Sequence, residues 1–282
     1  MNSMIAFPAP AKLNLMLRVV GRRADGYHLL QTVFRFIEQG DVVRLRVRRD
    51  GVIARLRSLL EVAEADDLTV RAAQVLQAAT GTRFGVDIDL EKRLPMGGGL
   101  GGGSSDAATV LLALNHLWQT GLSRKRLQAL ALPLGADVPV FVYGQSAVAE
   151  GVGEELSPLA LPPAWYLVLV PPVAVLTADV FRHPELKRDS GKVKIQGFSV
   201  PRGNDLEPVV CREYPEVARH LAWLNQYGEA QMTGSGACVF AAFADQEAAR
   251  GALTACPATM RGFVARGLDV HPLHGLAEGF DG

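Results

Sequence analysis

The sequence predicts an α+β protein of two units rather than a doubly wound parallel sheet. Strand-like segments mix with helical ones without the regular βαβ alternation that a parallel sheet needs, and several connections look like hairpin turns. Prolines cluster between Pro158 and Pro163, after which the pattern starts afresh. The 282 residues suffice for two domains, expected here as 1–160 and 161–282.

The elements follow in chain order. Residues 11–20 read as a strand, with Leu13 and Leu15 facing one way and Lys12 and Asn14 the other. Residues 21–26 form a polar turn that leads to Tyr27 and His28 in a loop. Residues 42–57 suggest a hairpin around Asp50-Gly51, a strong turn dipeptide. Arg44, Arg46 and Arg48 alternate there into a basic face, which reads as a solvated sheet surface before a binding patch. Residues 67–80 form an amphipathic helix closed by Gly81. Residues 86–90 read as a strand that stops before Pro95. The next helix, 105–118, is apolar almost all round and should be buried. Ser123 caps a short helix reaching about Leu132. Residues 138–143 and 147–150 look like two more strands.

The second unit opens with a strand at 166–170. A short helix at 178–182, a polar loop at 183–202 and a longer helical stretch ending at Gly228 come next. A strand, a glycine turn at 234–236, a strand at 239–243, a helix from Gln246 and a strand at 263–266 complete it.

Bulk properties exclude several classes. The formal net charge is zero, so strong nonspecific nucleic-acid binding is not expected. No apolar run approaches the length of a membrane span, and the first residues lack the pattern of a signal peptide. Cys211, Cys238 and Cys256 are odd in number and lack metal-ligand spacing, which suits reduced thiols in a cytoplasm.

The most informative segment is Gly97-Gly98-Gly99-Leu100-Gly101-Gly102-Gly103, followed by Ser104-Ser105-Asp106 and an apolar helix. Glycine loses more backbone freedom on folding than any other residue, so such a run is costly unless backbone must approach something closely. Glycines feeding a helix N-terminus make an anion site. Gly97-x-Gly99-x-x-Gly102 matches the dinucleotide fingerprint, but the ribose-binding acid expected about 20 positions later is missing from Leu122-Ser123-Arg124-Lys125-Arg126. Gly98 to Gly103 has P-loop spacing, but Ser104 stands where the phosphate-reaching lysine belongs. What remains is a phosphate loop of another kinase type, whose catalytic cation comes from elsewhere. A flexible linker is the bland alternative, and linkers are not usually wedged between a strand and a buried helix.

Other residues could carry chemistry. Lys12 and Asn14 side by side could bind an anion or a polar substrate, or simply face solvent. Asp137 is the only charged residue between Arg126 and Glu150 and sits at the mouth of an apolar strand, either as a general base or as a turn aspartate. Thr233-Gly234-Ser235-Gly236-Ala237 is a second glycine turn, either an oxygen pocket or a tight hairpin. Tyr27 and His28 could stack on and bond a base-like ring. His271-x-x-His274 invites a zinc reading, but Pro272 breaks the helix it needs.

Five segments occur in order: Pro8-Ala9-Pro10-Ala11-Lys12-Leu13-Asn14-Leu15; Arg23-Ala24-Asp25-Gly26-Tyr27-His28; Leu94-Pro95-Met96 with the glycine loop; Leu134-Gly135-Ala136-Asp137-Val138-Pro139; and Thr233-Gly234-Ser235-Gly236-Ala237-Cys238-Val239-Phe240. Together they resemble the GHMP small-molecule kinases over nearly the whole chain. More narrowly, they resemble the branch whose acceptor is a methylerythritol bearing a cytidine diphosphate group, in the non-mevalonate route to isoprenoids.

The resemblance implies a two-domain GHMP kinase fold, with an N-terminal domain like domain 2 of ribosomal protein S5 and a ferredoxin-like C-terminal domain. ATP with Mg2+ would phosphorylate the acceptor's tertiary 2-hydroxyl. Asp137 would take the hydroxyl proton and Lys12 would stabilise charge between the substrates. Pro95, Met96, Gly97, Gly98, Gly99, Leu100, Gly101, Gly102, Gly103, Ser104 and Ser105 would hold ATP, with Lys92 near the adenine. Tyr27 and Phe181 would sandwich the cytosine, His28 would bond its edge, and Asn14 would reach the substrate hydroxyls. Thr233, Gly234, Ser235 and Gly236 would complete the substrate side. No metal ligand is secure; Ser104 and Ser105 are the candidates. The resemblance also implies a cytoplasmic monomer or homodimer. Asp67 departs from the family's usual asparagine, exchanging an amide for an acceptor-only carboxylate at a position expected near adenine. The alternatives are a GHMP kinase of another small alcohol such as homoserine or mevalonate, a nicotinamide-dependent oxidoreductase, and a silent nucleotide-binding module.

Overall fold

The computed structural model describes residues 3–24, 26–57, 62–195 and 200–280. The architecture is α+β: among the described residues ten strands join in one continuous, mostly antiparallel sheet, with the helices packed against it. No helix among the described residues is long and apolar enough to cross a membrane.

Two long strands organise the first unit. β1 (Ile5–Arg22) and β2 (His28–Arg48) pair antiparallel over nearly their full length. Register shifts interrupt the ladder at Pro10/Ala11, Asn14/Met16 and Val19/Gly21. Such bulges re-aim side chains. Because the second shift falls after Asn14, Lys12 and Asn14 keep a common face.

The expected hairpin at 42–57 does not form. β3 (Ile53–Arg55) pairs in parallel with β4 (Gly85–Glu91), and β4 lies between β3 and β2. The Asp50-Gly51 turn is local, but the partner of the strand after it comes from farther along the chain. The basic face on β2 is matched by this arrangement. Arg44 meets Glu91 at 2.5 Å, and Arg46 and Arg48 each meet Asp87 at 2.6 Å. It is therefore a cross-strand ion-pair ladder, each pair contributing about 0.2–1 kcal/mol.

The helices fill the other face. α1 (Leu68–Thr80) starts where the Asp67 carboxylate accepts from the Thr69 N–H, and it ends at Gly81 with φ +64°. α2 (Gly102–Leu117) is buried from Ser105 to Asn115. α3 (Arg124–Ala131) is capped by Ser123, as its sequence suggests.

Residues 138–143 form a helix, α4 (Val138–Tyr143), where β-branched composition suggests a strand. Pro139 suits a first helical turn, which needs no N–H there, and Gly144 closes the helix at φ +75°. Packing on α2 and α3 overrides the strand propensity of Val138, Val140 and Val142. β5 (Ala147–Glu150) and β6 (Glu155–Pro158) follow as an edge hairpin.

In the second unit, β7 (Trp165–Val170) precedes α5 (Thr177–Arg182). The expected long helical stretch is two helices, α6 (Glu207–Glu213) and α7 (Pro215–Leu224). Pro215 disfavours helical geometry at Tyr214, which sits at φ −127° and ψ 84°. β8 (Ala230–Met232), β9 (Val239–Phe243), α8 (Gln246–Thr254) and β10 (Arg261–Leu268) complete it.

The two units exchange segments. β10 pairs with β7 and then, at Gly267 and Leu268, with Ile37 and Phe36 of β2. Leu273 and Ala277 pack into the first core, while Leu17 and Val19 of β1 pack into the second. His271 lies buried with its ring edge-on to Phe36, and its Nδ1 accepts from the Leu273 N–H. Burial pushes this imidazole down to about 3.

Candidate active site

A cleft of about 590 Å³ opens where β1, β2, the glycine loop, the start of α4 and the 234–235 turn converge. Lys12 is buried on β1. Its Nζ donates to Asn14 Oδ1 at 2.6 Å, lies 3.2 Å from Asp137 Oδ2 and sits 5.5 Å from the centre of the Phe34 ring. Asn14 Nδ2 donates to Thr32 Oγ1 at 2.8 Å, and Thr32 in turn donates to the Met16 carbonyl. That chain fixes the amide with its oxygen toward Lys12. Both ends of Asn14 are thus engaged, which gives it first the task of holding Lys12. Asp137 stands at the N-terminus of α4 rather than at the mouth of a strand. Its side chain is 37% exposed toward the cleft.

The glycine loop needs its glycines for space and for conformation. Gly99 has φ +75°, and a Cβ there would lie 2.2 Å from the Thr233 carbonyl. Gly101 has φ +71°, and a Cβ would lie 3.0 Å from Phe141 and 3.1 Å from the Lys12 stem. The loop is pinned from behind: the Lys12 N–H donates to the Leu100 carbonyl and the Cys238 N–H to that of Gly98. Gly102, Gly103 and Ser104 open α2, where N–H groups have no acceptor within the helix. Those groups and the positive helix end face the cleft and suit phosphate.

Lys92 stands beside the loop between two carboxylates, 2.5 Å from Asp41 and 2.8 Å from Asp106. Burial alone would lower its pKa, but the charges of Asp106 and Asp41 prevail and hold it above the ordinary lysine value. Burial pushes Asp106 up to about 7, against the attraction of Lys92. The other Asp41 oxygen accepts the Arg93 and Leu94 N–H groups, bracing the approach to the glycine loop.

Lys92, Pro95, Met96, Gly97 to Gly103 and Ser104 all line the cleft, as do Asn14, Phe181, Gly234 and Ser235. Five expected site residues, Ser105, Thr233, Gly236, Tyr27 and His28, are not among those that line it. Ser105 is fully buried, with its hydroxyl donating to the Pro10 carbonyl and its N–H to that of Gly101, so it holds α2 against β1. Thr233 is also fully buried, its hydroxyl accepting the Asn14 N–H. Gly236 faces Met232 and Val210. Tyr27 is 65% exposed. His28 packs on Phe181 with ring centres 4.9 Å apart, and Phe181 lines the cleft. Burial first, then the charges of Arg188 and Arg22, lower the pKa of His28. Asp67 is committed: one oxygen meets Arg55 at 2.9 Å and the other accepts from Thr69.

Sequence reading missed Asp41, Asp106, Thr32 and Phe34. Each gains meaning only from partners that the fold, not the local sequence, brings beside it.

Residues 67–145 match the GHMP kinases N terminal domain model, and residues 195–262 match the GHMP kinases C terminal model. The chain belongs to the GHMP kinases. A Thiobacillus denitrificans protein named 4-diphosphocytidyl-2-C-methyl-D-erythritol kinase is 66% identical over 270 residues, covering 95% of this chain and 97% of that protein. One of the same name from Nitrosospira multiformis is 61% identical, covering 97% and 95%. Among solved structures, a 4-(cytidine 5'-diphospho)-2C-methyl-D-erythritol kinase matches with a TM-score of 0.80 at 37% identity, covering 93% of this GHMP kinase and 99% of that chain.

Proposed function

We propose that this GHMP kinase transfers the γ-phosphoryl group of ATP to the 2-hydroxyl of 4-diphosphocytidyl-2-C-methyl-D-erythritol, a step in the non-mevalonate synthesis of isoprenoid precursors. The observation that carries the chemistry is the Lys12–Asp137 pair, 3.2 Å apart, facing the same cleft as the helix-opening glycine loop. The full-length likeness to kinases named for that acceptor supports the substrate.

Phosphoryl transfer is mostly positioning plus electrostatics. The N–H groups of the glycine loop and the opening of α2 hold the phosphates. Asp137 takes the proton of the attacking hydroxyl as the new O–P bond forms and the bond to the ADP oxygen breaks. A positioned base of this kind contributes about 10²- to 10⁴-fold. Lys12, held by Asn14, stabilises the charge that moves onto the transferring oxygens.

The residues present fit a magnesium ion beside ATP. Ser104 lines the cleft at the first turn of α2, and Asp106 has a buried oxygen, Oδ1, without a hydrogen-bond partner. These hard oxygens would hold the ion together with the phosphates. The ion would supply positive charge beside the phosphates as the phosphoryl group moves. Ser105 does not fit, because it is buried and bonded to Pro10. The free thiols of Cys211, Cys238 and Cys256 suit a cytoplasmic enzyme.

The test is ADP release with a panel of acceptors. Turnover of the cytidine-bearing erythritol, with homoserine and mevalonate inert, is the expected result. Turnover of homoserine or mevalonate alone would overturn the substrate and leave the kinase chemistry standing.

A further inference from the structure

The 234–235 turn stands against the reacting centre: a Cβ on Gly234 would lie 3.3 Å from Lys12 Nζ and 2.8 Å from the Gly99 carbonyl oxygen. One buried amide holds that turn from behind. Asn204 is 7% exposed and does not line the cleft. Its Nδ2 donates to the Met232 carbonyl at 2.9 Å and to the Gly234 carbonyl at 2.8 Å, and its Oδ1 accepts the Leu206 N–H at 3.0 Å. Both of its protons are therefore spent on carbonyls. The residues beside it clasp β1, the Leu17 N–H donating to the Gly203 carbonyl and the Asp205 N–H to that of Leu17. Leu17, Leu206, Gly234 and Ser235 all line the cleft. The Gly234–Ser235 peptide is trans, and in a trans peptide the N–H points opposite to the C=O. With the Gly234 carbonyl drawn back to Asn204, the Ser235 N–H points to the other side, and no described group accepts from it.

We propose that Asn204 is a positioning residue for phosphoryl transfer: it turns the Gly234–Ser235 peptide so that the Ser235 N–H donates to an oxygen of the phosphoryl group in transit. This rests on the kinase reading above and adds a backbone donor to it. A donor fixed in advance where charge develops needs no reorganisation at the moment of reaction. Gly234 sits at φ +56°, and a glycine adopts either sign of φ with little penalty. Without Asn204 nothing else described holds the Gly234 carbonyl back, and the peptide can flip. A flip exchanges the N–H for the carbonyl, so that an acceptor faces the phosphoryl oxygens instead of a donor.

The experiment uses the full chain with Asn204→Ala and with Asn204→Asp, which keeps the size and removes the donors. Proton–nitrogen NMR follows the Ser235 amide as ADP, Mg2+ and aluminium fluoride, a mimic of the phosphoryl group in transit, are added with and without acceptor. Turnover is counted per nucleotide-binding site by calorimetry, so that a misfolded fraction does not enter kcat. The wild-type Ser235 amide proton is expected to move downfield. In both variants that movement should be lost and kcat should fall roughly ten- to a thousandfold, the scale of one missing donor to developing charge. The KM values for ATP and acceptor should stay within about threefold, since the interaction is made in the transition state. If the wild-type amide does not respond, the N–H serves no phosphoryl oxygen and the proposal fails. If Asn204→Ala loses activity yet keeps the Ser235 response, Asn204 only braces the turn and the proposal fails as well. Should neither variant fold, the wild-type response alone decides. If wild type phosphorylates no cytidine-bearing acceptor, the substrate reading fails instead, and the response to ADP with aluminium fluoride still decides the role of Asn204.

Discussion

The Lys12 ammonium lies 3.2 Å from the Asp137 carboxylate, bridging the middle of β1 and the start of α4. Lys12 is buried and Asp137 is open to the cleft, so the pair presents one oxygen to a substrate while the other is held. The geometry suits the proposed general base, held in place by a fixed cation.

Asp137→Asn removes that base with little change in shape. The kcat should fall about 10²- to 10⁴-fold, with ATP affinity within about threefold by calorimetry. Near-normal turnover would mean that the proton leaves by another route.

Gly101→Ala places a methyl against Phe141 and the Lys12 stem at a left-handed φ. It should cost about 1–3 kcal/mol of stability and raise the ATP KM at least tenfold. Gly81→Ala is the control: φ is +64°, but nothing lies within 4 Å. It should cost about 1 kcal/mol and leave the ATP KM unchanged. Equal effects of the two variants on ATP would show that crowding at the loop is not what matters.

Tyr27→Ala removes the exposed aromatic that precedes His28, whose ring packs on Phe181. Base–aromatic stacking is worth about 1–3 kcal/mol, so the acceptor KM should rise by roughly five- to a hundredfold with ATP binding unchanged. A selective loss of ATP affinity would place Tyr27 at the other end of the cleft.

Protonating His271 should destabilise the fold. Its folded value of about 3 lies below the unfolded value near 6.5. Between those values the unfolded chain binds the extra proton. The stabilising contribution is therefore full above pH 6.5 and is lost as pH falls toward 3, at up to about 1.4 kcal/mol per unit. In His271→Asn the side-chain oxygen can still accept from Leu273, and the acid slope of urea-unfolding free energy should flatten by about one proton. An unchanged slope would assign the acid sensitivity to other groups.

The local signals in the sequence were physical ones, and they held where local physics decides. Asp67, Ser123 and Gly81 cap their helices because a side-chain oxygen or a left-handed glycine serves those ends whatever the context. The glycine run announced a backbone that approaches something closely, and it does approach Thr233, Lys12 and Phe141. Residues 138–143 looked like a strand because valines favour one, and only their packing on α2 and α3 makes them helical. The place of β4 between β3 and β2 is a non-local choice that a turn dipeptide cannot reveal. Asp41, Asp106 and Asn204 were silent for the same reason: their roles lie in Lys92 and Gly234, remote in the chain.

Phosphate from ATP should end on the tertiary 2-hydroxyl of the acceptor. Proton-coupled phosphorus NMR of the product tests it most directly. The carbon at that position bears no hydrogen, so a new phosphomonoester singlet should appear together with ADP. A triplet from a phosphate on a CH2 group, or a doublet from one on a CH group, would contradict it.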